Sequence, residues 1–139
     1  MSLEFPFEYA EVKQIGKLFY PIVYLELKTV FGWRKFAFLV DTGADLTTLP
    51  SHLLPVLGLD KVKLKVTKTV GVGGVTVKTW EFPLTIKIGK VELQVKASAV
   101  ESKKDSMPLL LGRKDIFEEK FNLLVDSQKK KTVIIENYG

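Results

Sequence analysis

Apolar residues in this chain recur mostly at every second position, the period of a strand with one face buried. Across residues 21–28, Val23, Leu25 and Leu27 alternate with Tyr24, Glu26 and Lys28. Phe31-Gly32 reads as a turn. Residues 34–40 then carry Phe36, Phe38 and Val40 on one face, with Ala37 and Leu39 on the other. A strand apolar on both faces belongs inside a sheet, so this one should run into the core. Residues 61–67 alternate Lys61, Lys63 and Lys65 with Val62, Leu64 and Val66, a half-exposed strand with its lysines outward. Residues 81–88 and 91–99 flank Gly89-Lys90, and two residues containing glycine between alternating runs signal a hairpin. Residues 121–125 and 132–136 predict a closing hairpin around Lys129-Lys130-Lys131.

Helical signals are few. Pro50-Ser51-His52-Leu53-Leu54 suits a turn or two, stopped near Pro55 and Gly58. Residues 113–120 make the better case. They follow Gly112, carry Asp115, Glu118 and Glu119, and set Ile116 and Phe117 on an apolar face. The pattern predicts one mostly-β domain over residues 1–139 with one short C-terminal helix. No linker, low-complexity segment or internal repeat interrupts it.

Composition narrows the chemistry. At 139 residues, with 46% hydrophobic and 27% charged, the chain suits one folded domain with a real core. It has no cysteine, which excludes disulfides, thiolate metal sites and a cysteine nucleophile. Its one histidine, His52, excludes a multi-histidine metal site within a single chain. A Ser-His-Asp triad would need that residue, and Ser51, Ser98 and Ser106 show no nucleophile signature. His52 is expected to be a surface or structural residue, and Trp33 and Trp80 to be packing residues. The net charge of +5 comes from scattered lysines. The run at residues 129–131 is read as a solvated turn, so nucleic acid is not an expected partner. No apolar stretch approaches the ~18–20 residues of a membrane span. The N-terminus lacks the basic start and apolar run of a signal peptide. These features predict an intracellular, cytoplasmic protein with no membrane partner.

The candidate chemistry lies in Leu39-Val40-Asp41-Thr42-Gly43-Ala44-Asp45, where a buried apolar strand ends in an acid, a hydroxyl and a glycine. A strand leaving the core through an ordinary Asp-X-Gly turn has the same look. Here Asp41 should emerge at the edge of low-dielectric packing. Gly43 permits close backbone approach and offers an unobstructed amide. Thr42 adds a hydroxyl for a hydrogen-bond network.

In these residues the chain resembles the retropepsin-like aspartic proteases, the family of retroviral protease and its cellular relatives. The resemblance runs in order from about Leu18 to Lys120. It rests on the strand into Asp41-Thr42-Gly43-Ala44-Asp45, the glycine-rich Gly71-Val72-Gly73-Gly74, the signature Leu110-Leu111-Gly112, and the segment starting at Arg113. It implies a closed β-barrel of the acid-protease fold with a flap hairpin. Asp41 would be the catalytic carboxylate. Thr42 would brace two active-site loops across a dimer, and Gly43 would set backbone beside the acid. Ala44 and Asp45 would hold the substrate backbone, with Gly71, Val72, Gly73 and Gly74 as the flap above it. Arg113 would pair in bidentate fashion with Asp45, next to Gly112. No metal or organic cofactor is implied. The plainer alternatives are a bulge or ordinary hairpin for the glycine segment and a solvated first-turn residue for Arg113.

The chain contains a single Asp-Thr-Gly; Asp126-Ser127-Gln128 lacks the glycine. Catalysis would therefore need a homodimer, with two Asp41 carboxylates on a two-fold axis around one water. The implied function is an aspartic endopeptidase acting on peptide or protein substrates. The alternatives are a non-catalytic dimerisation or peptide-binding module of the same fold, and an unrelated β-barrel. The sequence departs from the viral pattern in its longer termini and in Lys114, where the family more often has Asp or Asn; Asp115 follows as a substitute. Viral enzymes build their dimer sheet from both termini, so the longer termini leave the dimer contacts outside the active-site loops open.

Overall fold

The computed structural model describes residues 1–70, 73–101 and 107–138. Within them lie twelve strands: β1 (Ser2–Pro6), β2 (Glu8–Val12), β3 (Gly16–Tyr20), β4 (Ile22–Thr29), β5 (Gly32–Val40), β6 (Thr47–Pro50), β7 (Lys65–Val70), β8 (Thr76–Ile88), β9 (Val91–Val100), β10 (Leu109–Leu111), β11 (Phe121–Asp126) and β12 (Lys131–Glu136). Seven form the main sheet in the order β4-β5-β10-β6-β9-β8-β7. Glu26 and Leu27 of β4 also pair with Lys87 and Ile86 of β8, which curls the sheet back on itself.

The alternation seen in the sequence sets what lies inside the curl. Val23, Leu25 and Leu27 of β4 face inward, as do Leu84, Ile86 and Ile88 of β8, and all are buried with Phe38 and Leu49. Each such side chain contributes about 1.5–3 kcal/mol by leaving water. Trp80 belongs to this core, while half-buried Trp33 lies under the Lys87 ammonium, 4.2 Å from its ring centroid. His52 is exposed, in the short 3₁₀ turn Ser51–Leu53.

The hairpin across Gly89-Lys90 forms as expected, with Ile88 opposite Val91 and Gly89 at φ 63°. The closing hairpin also forms, with Leu123 opposite Ile134. Its partner was not legible in the sequence: β1 adds to β12 with Leu3 opposite Ile134. The two termini therefore meet within one chain, in a sheet ordered β1-β12-β11. The separate hairpin β2-β3 is anchored by Phe7, which stacks on Phe19 at 4.2 Å.

Two expectations are corrected. The strand expected from residue 61 begins at Lys65. Asp60 accepts the Val62 N–H at 3.0 Å and winds Lys61–Lys63 into a 3₁₀ turn, leaving Val62 85% exposed. A side chain that satisfies a backbone donor locally competes with the strand ladder. The helix expected over residues 113–120 is a run of turns. It starts helically, with Phe117 N–H on the Arg113 carbonyl at 3.0 Å. Asp115, however, sits at φ 67°, a left-handed conformation through which a right-handed helix does not propagate. Two bonds accompany that conformation: Asp115 N–H donates to Glu118 Oε1 at 3.1 Å, and its carboxylate accepts the Lys96 N–H at 2.9 Å.

Candidate active site

Asp41 stands one residue past β5, half-buried, where the core strand leaves the sheet. The neighbouring strand fixes its position. β10 runs parallel to β5, with Leu111 beside Val40, and the Asp41 N–H donates to the Leu111 carbonyl at 3.0 Å. The chain then folds tightly. Ala44 N–H donates to the Asp41 carbonyl at 3.1 Å, and Gly43 N–H donates to Asp41 Oδ1 at 3.0 Å. A Cβ on residue 43 would stand 3.3 Å from that same oxygen, so glycine gives the carboxylate room.

Leu110-Leu111-Gly112 supplies the other half of the site. A Cβ on Gly112 would lie 2.4 Å from the Leu46 carbonyl carbon and 2.8 Å from the Thr47 nitrogen. Only a glycine lets these two segments touch. Arg113 N–H then donates to the Ala44 carbonyl at 3.1 Å, and Lys114 N–H to the Asp45 carbonyl at 2.9 Å. The Arg113 guanidinium reaches Asp45, but the pairing is not bidentate. One arm bonds Asp45 Oδ1 while the other donates to the Thr42 carbonyl at 2.6 Å. The planar fork spans two groups of the Asp41 loop and ties both to the β10 side.

Thr42 and Gly43 are exposed beside the carboxylate. Gly73 and Gly74, at φ 86° and 78°, occupy the connection between β7 and β8, which pair in register from Val70–Thr76 to Lys65–Glu81. Gly71 and Val72 lie outside the described residues. The structure thus joins Asp41 to Asp45 with Gly112 and Arg113 in one bonded unit, and sets Gly73 and Gly74 on a separate hairpin. A cleft of about 370 Å³ adjoins that unit, lined by Ala44, Asp45, Leu46, Thr48, Val77 and Val100 among others. Thr47 was missed in the sequence. Its fully buried hydroxyl accepts the Gly112 N–H at 3.1 Å. Its only signal was a hydroxyl residue amid an apolar stretch.

Among the described residues no group of three or more acidic or histidine side chains could hold a metal ion, and no helix is long and apolar enough to cross a membrane.

A curled β sheet with one Asp-Thr-Gly loop, braced by an apolar-apolar-Gly-Arg segment, defines the class of retropepsin-like folds. The family model described as "gag-polyprotein putative aspartyl protease" matches residues 28–118, and the chain belongs to that retropepsin-like aspartic protease family. Two solved structures share the fold. A retropepsin-like aspartic protease from Rickettsia conorii is 24% identical, with a TM-score of 0.63, covering 96% of this chain and 98% of that one. EIAV protease, complexed with the inhibitor HBY-793, is 24% identical, with a TM-score of 0.52, covering 75% of this chain and 88% of that one. No curated protein sequence matches.

Proposed function

We propose that this protein is a homodimeric aspartic endopeptidase whose catalytic group is Asp41, one from each chain. The observation that carries this reading is the bonded Asp41 loop: a half-buried carboxylate at a strand end, oriented by the Gly43 amide and locked to Leu111, Gly112 and Arg113. Such rigidity preorganises a reacting group.

Two carboxylates meeting across a two-fold axis cannot both ionise easily, so they share one proton, as in aspartic proteases generally. The ionised one takes a proton from a water held between them. The water oxygen attacks the scissile carbonyl carbon while the protonated acid gives its proton to the carbonyl oxygen. The tetrahedral gem-diol then collapses: the C–N bond breaks, the nitrogen leaves with the proton of the pair, and one gem-diol hydroxyl returns its proton to the other carboxylate, so the pair again shares one proton. The products are a carboxylic acid and an amine, and one water is consumed.

The substrate lies extended in the cleft beside Ala44 and Asp45, with strand-like backbone hydrogen bonds. The β7-β8 hairpin is its lid: glycines at its tip ease the backbone changes of closing. The test is the initial rate of cleavage of an unfolded protein from pH 3 to 8, for wild type beside Asp41→Asn. Loss of cleavage in the variant supports the reading, and the wild-type profile then reports the pair's apparent pKa values. Equal cleavage by both proteins refutes it. No cleavage by a folded wild-type dimer, on this substrate or on a diverse peptide library, leaves a non-catalytic module of the same fold.

A further inference from the structure

We propose that Ser98 determines specificity: its hydroxyl, on the floor of the cleft beside Asp45, selects a substrate side chain that is uncharged and ends in a carboxamide or hydroxyl over an apolar one of the same shape. This deepens the reading above and rests on it for the use of the cleft by a peptide.

The alternation of the main sheet puts Ser98 there. Ala97 and Ala99 of β9, Leu49 of β6, and Trp80 and Phe82 of β8 point into the core. Successive side chains of a strand take opposite faces. Ser98, Thr48 and Thr79 therefore share the other face. Pairing gathers them, with Ser98 beside Thr48 and Thr79 beside Val100. All four residues line the cleft. An outer face is ordinarily wet, yet Thr79 and Ser98 are only 5% and 9% exposed, while Thr48, Val77 and Val100 around them are half-buried. Thr79 and Ser98 are thus the deepest of these residues, the floor of the cleft.

The three hydroxyls differ in what they have left to offer, since each carries one proton to donate. Thr48 Oγ1 donates to the Leu46 carbonyl at 3.0 Å. Thr79 Oγ1 donates to the Thr67 carbonyl at 3.3 Å and accepts from the Thr67 hydroxyl. Among the described residues no group bonds the Ser98 hydroxyl, so its proton and its lone pairs remain for a ligand. A polar tip reaching the floor gives this buried group its partner, and an apolar tip leaves it unpaired. A site that hydrogen-bonds a polar group rejects the analogue lacking it.

Charge sets the second half of the selection. Asp45 is at the rim, 86% exposed and held by Arg113. Glu81, opposite Ser98 in the β8-β9 pairing, is engaged by Lys96 at 3.4 Å. A charged tip at the floor would lose water and find no free counter-ion. A carboxamide or hydroxyl carries no such cost.

The test uses peptides built on one cleaved sequence, with single positions flanking the scissile bond exchanged in shape-matched pairs: Asn for Leu, Gln for Met, Thr for Val. At one position kcat/KM is expected to favour the polar member about tenfold. Ser98→Ala should bring that ratio near one and leave the ratios at other positions unchanged. Ser98→Thr keeps the hydroxyl and should keep most of the preference. The urea midpoint of Ser98→Ala should not fall, because the substitution removes an unpaired group. A wild type without the preference, or a Ser98→Ala variant that retains it, overturns the proposal. Calorimetry with the same pairs, the scissile amide carbonyl replaced by a methylene, separates the two readings. Discrimination in binding that Ser98→Ala abolishes, without any cleavage, keeps the role of Ser98 and ends the catalytic reading. Cleavage without discrimination does the reverse. Neither binding nor cleavage ends both.

Discussion

Gly112 and Thr47, 65 positions apart in sequence, meet in one buried hydrogen bond, the Gly112 N–H donating to Thr47 Oγ1 at 3.1 Å. Through it the apolar-apolar-Gly signature and the residues after Asp45 become a single piece. The bond satisfies a backbone donor where no water reaches, and losing such a partner costs more than the bond itself contributes.

Thr47→Val keeps the shape of that side chain and deletes the acceptor. The expected loss is about 1–3 kcal/mol, because the Gly112 N–H is left buried and unpaired. Urea unfolding checks it, with Thr47→Ser as the variant that retains most of the stability. Equal midpoints for Thr47→Val and wild type would remove the bond from the account.

Gly112→Ala should be worse. Its Cβ would stand 2.4 and 2.5 Å from the Leu46 carbonyl carbon and oxygen, which are backbone atoms with nowhere to move. A loss of roughly 3 kcal/mol or more is expected, the upper range of overpacking. Thermal melting reads it, and a melting temperature within a degree or two of wild type would contradict the close approach.

Arg113→Lys tests the fork. A lysine offers one compact charge and cannot span the Thr42 carbonyl and Asp45 together. Asp45 is 86% exposed and Arg113 46%, so water screens the pair. Stability should fall by no more than about 1 kcal/mol. Under the proposed function the loop loses its brace, so kcat/KM falls by a larger factor than stability accounts for. A variant with unchanged kcat/KM would show that the fork does not position the site.

Tyr24 supplies a pH-dependent contact. Its hydroxyl donates to Glu8 at 2.6 Å, joining the β2-β3 hairpin to β4. This bond first, then desolvation, then the Glu8 charge raise the phenol pKa above 10.0. The neutral phenol is the bonded form. Its contribution is therefore fully present below pH 10.0 and lost as pH rises through the higher folded-state value. Ultraviolet titration should show a late phenol transition that Tyr24→Phe removes and Glu8→Gln moves back down. A late transition surviving Tyr24→Phe would assign it to another residue.

The sequence made β4, β5, β8, β9, β11 and β12 legible because each carries an alternating apolar face, and burying a face imposes a period within a few neighbouring residues. The same locality exposed Asp41-Thr42-Gly43 at the end of a core strand. It also misled at two points. Residues 113–120 have a helical pattern, yet Asp115 turns left-handed and bonds Lys96 of β9, nineteen positions away. Residues 61–63 alternate like a strand, yet the Asp60 carboxylate takes the Val62 N–H and the strand begins only at Lys65. β6 and β10, at four and three residues, are too short to show any period.

What the sequence determined by itself was therefore the β class, the inward faces of the long strands and the identity of the one acid at the strand end. Tertiary structure alone decided that Arg113 splits between Thr42 and Asp45, that Thr47 receives Gly112, and that β1 joins β12 and β11 in a sheet within one chain. The reason is physical. Periodicity records what each residue needs from solvent, a local property, whereas hydrogen-bond partners across 65 or 71 positions exist only once distant segments have packed together.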